Sequence, residues 1–245
     1  MENQEKAVEP RTDCIELFPV GRDMLVDKTR DVLRDAIVTG KIAQGQRINE
    51  TIIARQLSVS RGPIREALSS LEKEGLVNRA PNRGMFVVKF TGADVDELYA
   101  LRTMYELYAL RHTLSSGYPL PITALEALVA DMTGGGRIDD GATRATNADM
   151  GFHTTLIAAC GLKRLIAAWG ELKPQLQMLL HRRKVVGADY PALVEPSHRD
   201  LLRSLRSNDL GLAENALREH IDGSYQALLA HWEDEGTRGG AQSGG

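Results

Sequence analysis

Residues 46–88, QRINETIIARQLSVSRGPIREALSSLEKEGLVNRAPNRGMFVV, decide the fold of the N-terminal part of the chain. Four apolar side chains in this stretch recur at helical spacing: Ile48, Ile52, Ile53 and Leu57. Asn49 is placed to cap the start of this helix with its side-chain oxygen. A brief turn then leads to a second helix that begins at Ser60, so the pattern predicts a helix-turn-helix.

The second helix has the features of a recognition helix. Ser60 is its predicted N-cap, with Glu66 as the capping-box partner and Pro63 near the first turn. Arg61 and Arg65 lie one turn apart on a shared face. They can therefore meet phosphates and base edges when this end of the helix enters a major groove.

A β-hairpin follows the recognition helix. The helix stops at Gly75, and two short apolar runs, residues 76–79 and 85–88, flank the segment 80–84. Arg83 gives this tip a positive charge, and Gly84 lets it approach closely, so it can lie along the DNA backbone or reach into a minor groove. The alternative is a small α+β domain whose arginines are merely solvated.

In these residues the chain resembles the GntR family of bacterial transcription regulators. Residues 33–42 and 45–50 match the opening pattern of that family, and residues 59–68 match its recognition helix. The resemblance covers about the first third of the chain and implies a winged helix-turn-helix that binds double-stranded DNA. The predicted DNA-binding residues are Arg34, Arg47, Thr51, Ser60, Arg61, Gly62, Pro63, Arg65, Arg83 and Gly84.

Composition limits the function classes. The 245 residues are enough for two domains, and 42% hydrophobic residues can fill a core in each. No apolar run approaches the ~18–20 residues of a membrane span, and the acidic N-terminus is unlike a signal peptide, so we expect a cytoplasmic protein. Cys14 and Cys160 form no disulfide framework.

Residues 22–90 carry 13 Lys or Arg against eight Asp or Glu, although the whole chain has a net charge of −3. The basic end is the predicted DNA end.

From Thr91 onward the sequence predicts amphipathic helices separated by glycine and proline. Predicted helices span residues 92–116, 122–132, 140–159, 162–186, 192–207 and 210–232, with Thr91 or Asp94 capping the first and Pro174 kinking the fourth. Residues 134–137 are a predicted flexible loop. The expected fold is mostly α: an N-terminal tail (1–21), a winged helix-turn-helix (22–90), an all-α antiparallel helical bundle (91–235) and a disordered tail (236–245).

The helical part contains a candidate metal site. Asp149 and His153 stand four residues apart on one helix, so both side chains can bind one divalent cation. His198 and His220 lie on two later helices and could point into the bundle. Three imidazoles and one carboxylate suit Zn²⁺, Ni²⁺ or another first-row ion. Spacing alone does not bring the four together, and a surface ion pair or a core histidine is the alternative.

The helical part is also similar to the FCD ligand-binding domain of one branch of this family. The metal pattern of that domain implies Asp149, His153, His198 and His220 as the ligands, while His112, His181 and His231 match no ligand position. In relatives a small organic acid completes the coordination, and an arginine of the first helix holds it. Arg102 matches that arginine. The alternative for Arg102 is an ion pair, for example with Glu106 one turn later.

These observations predict a transcription regulator, most simply a repressor, rather than an enzyme. We expect a homodimer whose winged helices bind the half-sites of a palindromic operator, with a small organic or sugar acid sensed at the metal site. One alternative is a metal-ion sensor, in which the ion itself is the signal. Another is a metal-dependent hydrolase or lyase, but no base is placed by motif beside the ligands, and an enzyme gives no reason for a winged helix.

Overall fold

The computed structural model describes residues 22–133, 138–186 and 190–240 of the chain. In chain order the elements are α1 Arg22–Val38, β1 Arg47–Ile48, α2 Glu50–Gln56, α3 Arg61–Lys73, β2 Val77–Ala80, β3 Gly84–Val87, α4 Gly92–Ser115, α5 Ile122–Met132, α6 Ile138–Ala158, α7 Lys163–Val186, α8 Tyr190–Arg206 and α9 Leu210–Gly240. A small winged helix-turn-helix thus precedes an all-helical part, as the sequence predicts. Within the described ranges, no helix combines the length and apolar character that a bilayer span requires.

The helix-turn-helix forms around the predicted caps, with two corrections. The side-chain oxygen of Asn49 accepts hydrogen bonds from two backbone N–H groups in the first turn of α2, as predicted. Ile48 lies before this helix, in β1, so its helical assignment is wrong. Ser60 stands at the N-cap of α3 but makes no side-chain capping bond. The predicted capping box is wrong because Glu66 follows the cap by six residues, whereas a capping-box partner follows it by three.

The wing is a three-stranded antiparallel sheet in the order β1-β3-β2. Val77 pairs with Val87 and Ala80 with Gly84, so the predicted hairpin is present. The sequence did not predict β1, in which Ile48 pairs with Met85 and faces the core. This third strand ties the start of α2 to the wing.

The first helix of the bundle, α4, begins at a capping box. Thr91 accepts a hydrogen bond from the backbone N–H of Asp94, whose carboxylate accepts one from the backbone N–H of Thr91. Both predicted caps are therefore used. The buried face of α4 repeats every three or four residues and consists of Val95, Leu98, Tyr99, Arg102, Glu106, Ala109, Leu110 and Thr113. This spacing places Arg102 and Glu106 among the apolar core residues, facing α6 and α9.

The later helices agree with the predicted ones to within two residues at most ends, with one exception. The last helix, α9, continues to Gly240, whereas the sequence predicted its end near Trp232 and a disordered tail from residue 236. Cys160 is buried and follows the end of α6. Pro174 lies inside α7, which is continuous. The predicted N-terminal tail 1–21, the loop 134–137 and residues 241–245 lie outside the described residues.

The two parts touch where the recognition helix ends. Helix α1 packs against α7, and Gly75 follows the C-cap of α3 with a φ of +69°. A Cβ added at Gly75 would lie 2.7 Å from Nε2 of Gln175 on α7. Glycine is therefore required here for its backbone conformation and for this close approach.

Candidate DNA interface and metal centre

The predicted DNA face lies where α2, α3 and the wing meet. Arg61 and Arg65 project from the first turns of α3 and are 57% and 62% exposed. A cleft of about 400 Å³ opens beside them; it is lined by Arg47, Ile48, Asn49, Glu50, Thr51, Arg61, Gly84 and Met85. Eight residues of one surface thus come together from three segments that are up to 38 residues apart in sequence.

The wing contributes charge to the same face. The Arg47 guanidinium lies beside Gly84, because a Cβ on Gly84 would be 3.6 Å from Nε of Arg47. The Arg83 guanidinium lies 6.0 Å from the centre of the Phe86 ring, at the distance of a cation–π contact. Thr51, Ser60, Arg83 and Gly84 are exposed. These predicted residues of α2, α3 and the wing therefore offer hydrogen-bond donors and accessible backbone to a ligand.

Two of the predicted DNA-binding residues do not belong to this surface. Arg34 donates two hydrogen bonds to Glu74, at 2.8 and 2.7 Å, and one to Asp31. Because Glu74 is the C-cap of α3, this arginine lies at the opposite end of that helix from Ser60 and joins it to α1. Pro63 is buried, so it fixes the first turn of α3 and presents no contact surface.

Glu50 is a residue of this face that the sequence analysis did not single out. Its Oε2 accepts hydrogen bonds from Nε of Arg65 at 2.8 Å and from a terminal nitrogen of Arg61 at 3.3 Å. The hydrogen bond from Arg65, against a smaller effect of burial, lowers the pKa of Glu50. The carboxylate is therefore charged and joins both arginines of the recognition helix.

The four predicted metal ligands come together in the core of the bundle. Nε2 of His153 lies 3.3 Å from Nε2 of His198 and 3.3 Å from Nε2 of His220. Oδ1 of Asp149 lies 3.2 Å from Nε2 of His153 and 3.4 Å from Nε2 of His198. Helix α6 supplies two of these side chains, and α8 and α9 supply one each, so one small site joins three helices.

The other ring nitrogen of each histidine is held by a neighbour. Nδ1 of His153 is 2.5 Å from Oε2 of Glu106, Nδ1 of His198 is 2.7 Å from the carbonyl oxygen of Val194, and Nδ1 of His220 is 2.8 Å from Oγ of Ser197. A carbonyl or a carboxylate oxygen only accepts, so His153 and His198 carry a proton on Nδ1. In the neutral imidazoles Nε2 then offers a lone pair to the centre of the site.

These distances fit a metal ion. A tetrahedral ion with bonds of about 2.0–2.1 Å to nitrogen holds its ligand atoms about 3.3 Å apart. The observed separations of 3.2–3.4 Å agree with this value. Neutral nitrogens at such distances repel one another unless a cation or a proton lies between them. Three imidazoles and a carboxylate are a suitable donor set for Zn²⁺ or Ni²⁺.

The electrostatics of the cluster keep its carboxylates charged. Burial raises the pKa of Asp149, but the charge of His198 and the hydrogen bonds from His153 and His198 outweigh it and hold this pKa well below its ordinary value. Burial, assisted by the charges of His198 and His153, lowers the pKa of His220 well below its usual range. An anionic Asp149 and a neutral His220 are the forms that bind a metal. Burial lowers the pKa of His153, but the attraction of Glu106 outweighs it and raises this pKa, so a metal would have to displace a proton from Nε2 of that ring.

Arg102 and Glu106 form a buried pair beside the histidines. The two side chains are 1% and 0% exposed, and Nε of Arg102 donates to Oε1 of Glu106 at 2.8 Å. Both terminal nitrogens of Arg102 are buried without a hydrogen-bond partner in the described part of the chain. The pKa of Glu106 is lowered because the attraction of His153 and Arg102 outweighs its burial. The predicted ion pair is therefore present, yet two donors of Arg102 stay available for a ligand.

Sequence reasoning missed the role of Glu106 toward His153. It appeared only as a partner of Arg102, whereas its two oxygens bridge that arginine and Nδ1 of a predicted ligand. The signal was present in the spacing of α4, whose core face includes both charged residues. The role of Ser197 on α8 had no comparable signal.

The three histidines outside the predicted ligand set lie elsewhere or outside the described residues. His112 stacks near Tyr108, and His181 is buried elsewhere; the side chain of His231 lies outside the described residues.

Comparison with known proteins decides the family. The model of the FCD domain matches residues 97–223, which is more than half of the chain, and the model of bacterial regulatory proteins of the gntR family matches residues 25–87. The chain belongs to the GntR family. The sequence-based resemblance is thus confirmed for both parts.

Several proteins are similar to this GntR-family chain. The gluconate operon transcriptional repressor of Bacillus subtilis is 27% identical over 205 residues, which are 82% of this chain and 83% of the relative. The uncharacterized regulator YdhC of Bacillus subtilis is 38% identical over 94 residues, which are 38% of this chain and only 42% of that relative. A solved GntR transcriptional regulator from Rhodococcus sp. RHA1 has a TM-score of 0.71 at 23% identity, covering 84% of this chain and 97% of that one, and shares the fold.

Membership in the GntR family excludes the enzyme alternative. The family consists of DNA-binding transcriptional regulators, and curated relatives of this chain are repressors of operons. The prediction of a transcription regulator that is not an enzyme is confirmed.

Proposed function

We propose that this protein is an effector-responsive repressor that binds a palindromic operator as a homodimer and senses a small carboxylic or sugar acid at a metal ion. The observation that carries the proposal is the convergence of three Nε2 atoms and the Asp149 carboxylate beside the unpartnered donors of Arg102. The ligands would be Asp149, His153, His198 and His220. A bound ion supplies a Lewis acid that attracts the carboxylate of an effector.

Arg102 supports an anionic effector. A buried guanidinium with two unpartnered donors can bind a carboxylate through two parallel hydrogen bonds. Glu106 balances its charge and fixes Nε, so the terminal nitrogens are held in one direction. Arg102 and the metal would thus bind the same carboxylate group of the effector.

The relatives support the class of effector. Two of them, from Bacillus licheniformis and Bacillus subtilis, are gluconate operon transcriptional repressors that are 25% and 27% identical to this chain over about four fifths of its length. Gluconate is a sugar acid, with a carboxylate and several hydroxyl groups. We therefore place a hydroxylated carboxylic acid first among the effectors to be tested.

Effector binding must favour one DNA-binding state over the other to regulate transcription. A route between the site and the DNA face exists in the packing. Trp169 of α7 donates to Oγ of Thr154, the residue after the ligand His153, at 3.0 Å, and α7 also contacts Gly75 through Gln175. A coupling of ~1–3 kcal/mol would change operator affinity about 5- to 150-fold.

The test combines metal analysis with DNA binding. Wild type, His198→Ala and the control His112→Ala are purified, their metal content is measured by mass spectrometry, and their affinity for DNA selected by the wild type is measured with and without gluconate and related acids. We expect about one metal per chain in wild type and the control, and much less in His198→Ala. An acid should weaken DNA binding only in the metal-loaded proteins.

The other outcomes distinguish the alternatives. If adding Zn²⁺ or Ni²⁺ alone to metal-free protein changes DNA affinity and no acid adds to it, the protein is a metal sensor. If neither metal nor acid has any effect on wild type, the proposed sensing function is wrong and the four residues serve packing alone.

A further inference from the structure

An acidic side chain stands in the middle of the basic DNA face. Glu50 is the first residue of α2, and its side chain is only 24% exposed, while the two arginines that it binds on α3 are mostly exposed. A carboxylate at a surface that receives phosphates weakens electrostatic attraction to any DNA sequence. Its position therefore requires a compensating role.

The geometry shows what Glu50 does to the arginines. One oxygen, Oε2, accepts from Arg65 at 2.8 Å and from Arg61 at 3.3 Å, so two long side chains from successive turns are joined at a single point. Free arginines on a helix end sample many rotamers, and ordering them on binding costs entropy. A shared anchor on a neighbouring helix removes much of this freedom before DNA arrives.

Glu50 also lines the cleft between the recognition helix and the wing. Arg47, Gly84 and Arg61 line this cleft as well. An arginine that swings away to a backbone phosphate must leave Glu50, whereas an arginine that reads a base edge from its present direction can keep the contact. The Glu50 carboxylate thus opposes binding of the arginines to backbone phosphates, and it is compatible with their reading of base edges.

We propose that Glu50 is a specificity-determining residue, which holds Arg61 and Arg65 in the orientation that reads base edges and disfavours their capture by phosphates of unrelated DNA. This inference rests on α3 being the DNA-reading helix. Glu50 does not need to contact DNA itself. It acts as a positioning residue through the two arginines.

The test is the isosteric variant Glu50→Gln in the full-length protein. Affinity for the selected operator and for an unrelated duplex of equal length is measured over a series of salt concentrations. We expect affinity for unrelated DNA to rise about 3- to 10-fold and its salt dependence to steepen by about one released counterion, because one negative charge leaves the interface and two arginines become free. Operator affinity should rise less or fall, so the ratio of the two affinities decreases.

The matched control is Glu72→Gln. Glu72 lies on α3, the helix of the two arginines, eleven residues beyond Arg61 and so about 16 Å along the helix, where it pairs with Arg79 at 3.6 Å. It has the same charge change, and we expect its operator-to-unrelated ratio to equal that of wild type. Thermal unfolding of both variants shows whether they are folded.

Two results would overturn the proposal. An equal rise in both affinities would mean that Glu50 only repels DNA, and an equal fall in both would mean that it only supports the fold. Arg61→Ala and Arg65→Ala are measured on the same duplexes. If they leave operator binding unchanged, the assignment of the DNA face fails; if they weaken it while Glu50→Gln keeps the wild-type ratio, only the role of Glu50 fails.

Discussion

Glu106→Gln tests the link between the buried ion pair and the histidine cluster. Glu106 accepts from Nε of Arg102 through one oxygen and contacts Nδ1 of His153 through the other. Glutamine has the same shape but only one acceptor oxygen. If that oxygen stays with Arg102, the amide N–H₂ faces His153 and forces the ring proton onto Nε2, which is the nitrogen needed for metal. If the amide turns round, two donors oppose each other at Arg102.

The magnitudes follow from burial. Arg102 is 1% exposed, so its charge loses its partner in a site that water does not reach. Removing one member of a buried pair costs about 3–5 kcal/mol, which corresponds to a fall in Tm of roughly 6–20 °C for a chain of this size. Loss of a residue that orients a metal-ligating histidine lowers metal affinity by about 10- to 100-fold.

The assay has two readouts and one control. Metal affinity is measured by competition with a chromophoric chelator at pH 8, and Tm is measured on metal-free protein. Glu214→Gln is the matched control, because Glu214 likewise pairs with an arginine: it accepts two hydrogen bonds from Arg111, at the surface. We expect the control to change Tm by less than about 3 °C and metal affinity by less than about twofold.

One result would refute this reasoning. If Glu106→Gln keeps the metal affinity of wild type within about twofold while Tm falls, then the contact to Nδ1 of His153 does not orient the ligand. If Tm also stays the same, the charge of Arg102 is balanced by another group.

Three further predictions concern the rest of the molecule. Replacing Arg61 and Arg65 together by alanine should lower operator affinity and reduce the salt slope by about one to two, and an unchanged slope in a salt titration would contradict contact with phosphates or bases by these arginines. Gly75→Ala should lower the free energy of unfolding, measured in denaturant, by about 1–2 kcal/mol from its backbone conformation alone. A steric contribution from Gln175 adds to this loss, and Gln175→Ala should relieve it. Full recovery of stability in the double variant would mean that the φ of +69° carries no cost. His220→Ala should reduce bound metal relative to wild type reloaded after chelation, and an equal metal content would remove this histidine from the ligand set.

Much of the fold was predictable because its signals are local. Helix periodicity, the caps at Asn49 and Thr91, and glycine at the helix end determine where elements begin and end, and these depend on neighbours within a few residues. The errors in element bounds arose where the neighbouring residues carried no clear signal for a strand or for a helix end. Strand β1 is two residues long, and it forms because β3 lies beside it. The end of α9 also differed, because this helix continues through Gly236 and Gly239 although glycine commonly ends a helix.

The candidate site was predictable only in part. The residue types and their order identified the four candidate metal ligands through the resemblance to the FCD domain. Arg34 and Pro63 were assigned to the DNA face from the family pattern, but a bidentate pair with Glu74 and burial in the first turn of α3 place them elsewhere. Which side chains pair with an arginine depends on residues 40 positions away, and no local pattern contains that information.

The sequence by itself determined the element types, the family and the identities of the groups that can bind DNA and metal, because periodicity, caps and motif spacing are properties of short segments. The tertiary structure alone decided which atoms meet. Only the packing of α4, α6, α8 and α9 places Nε2 of His153 at 3.3 Å from Nε2 of His198 and from Nε2 of His220. The same packing turns Nδ1 of each histidine toward a fixed partner. Only the packing of α2 on α3 joins Glu50 to two arginines. Electrostatic and coordination energies depend on distances of a few ångströms between residues far apart in the chain, and these distances are set when the whole core closes.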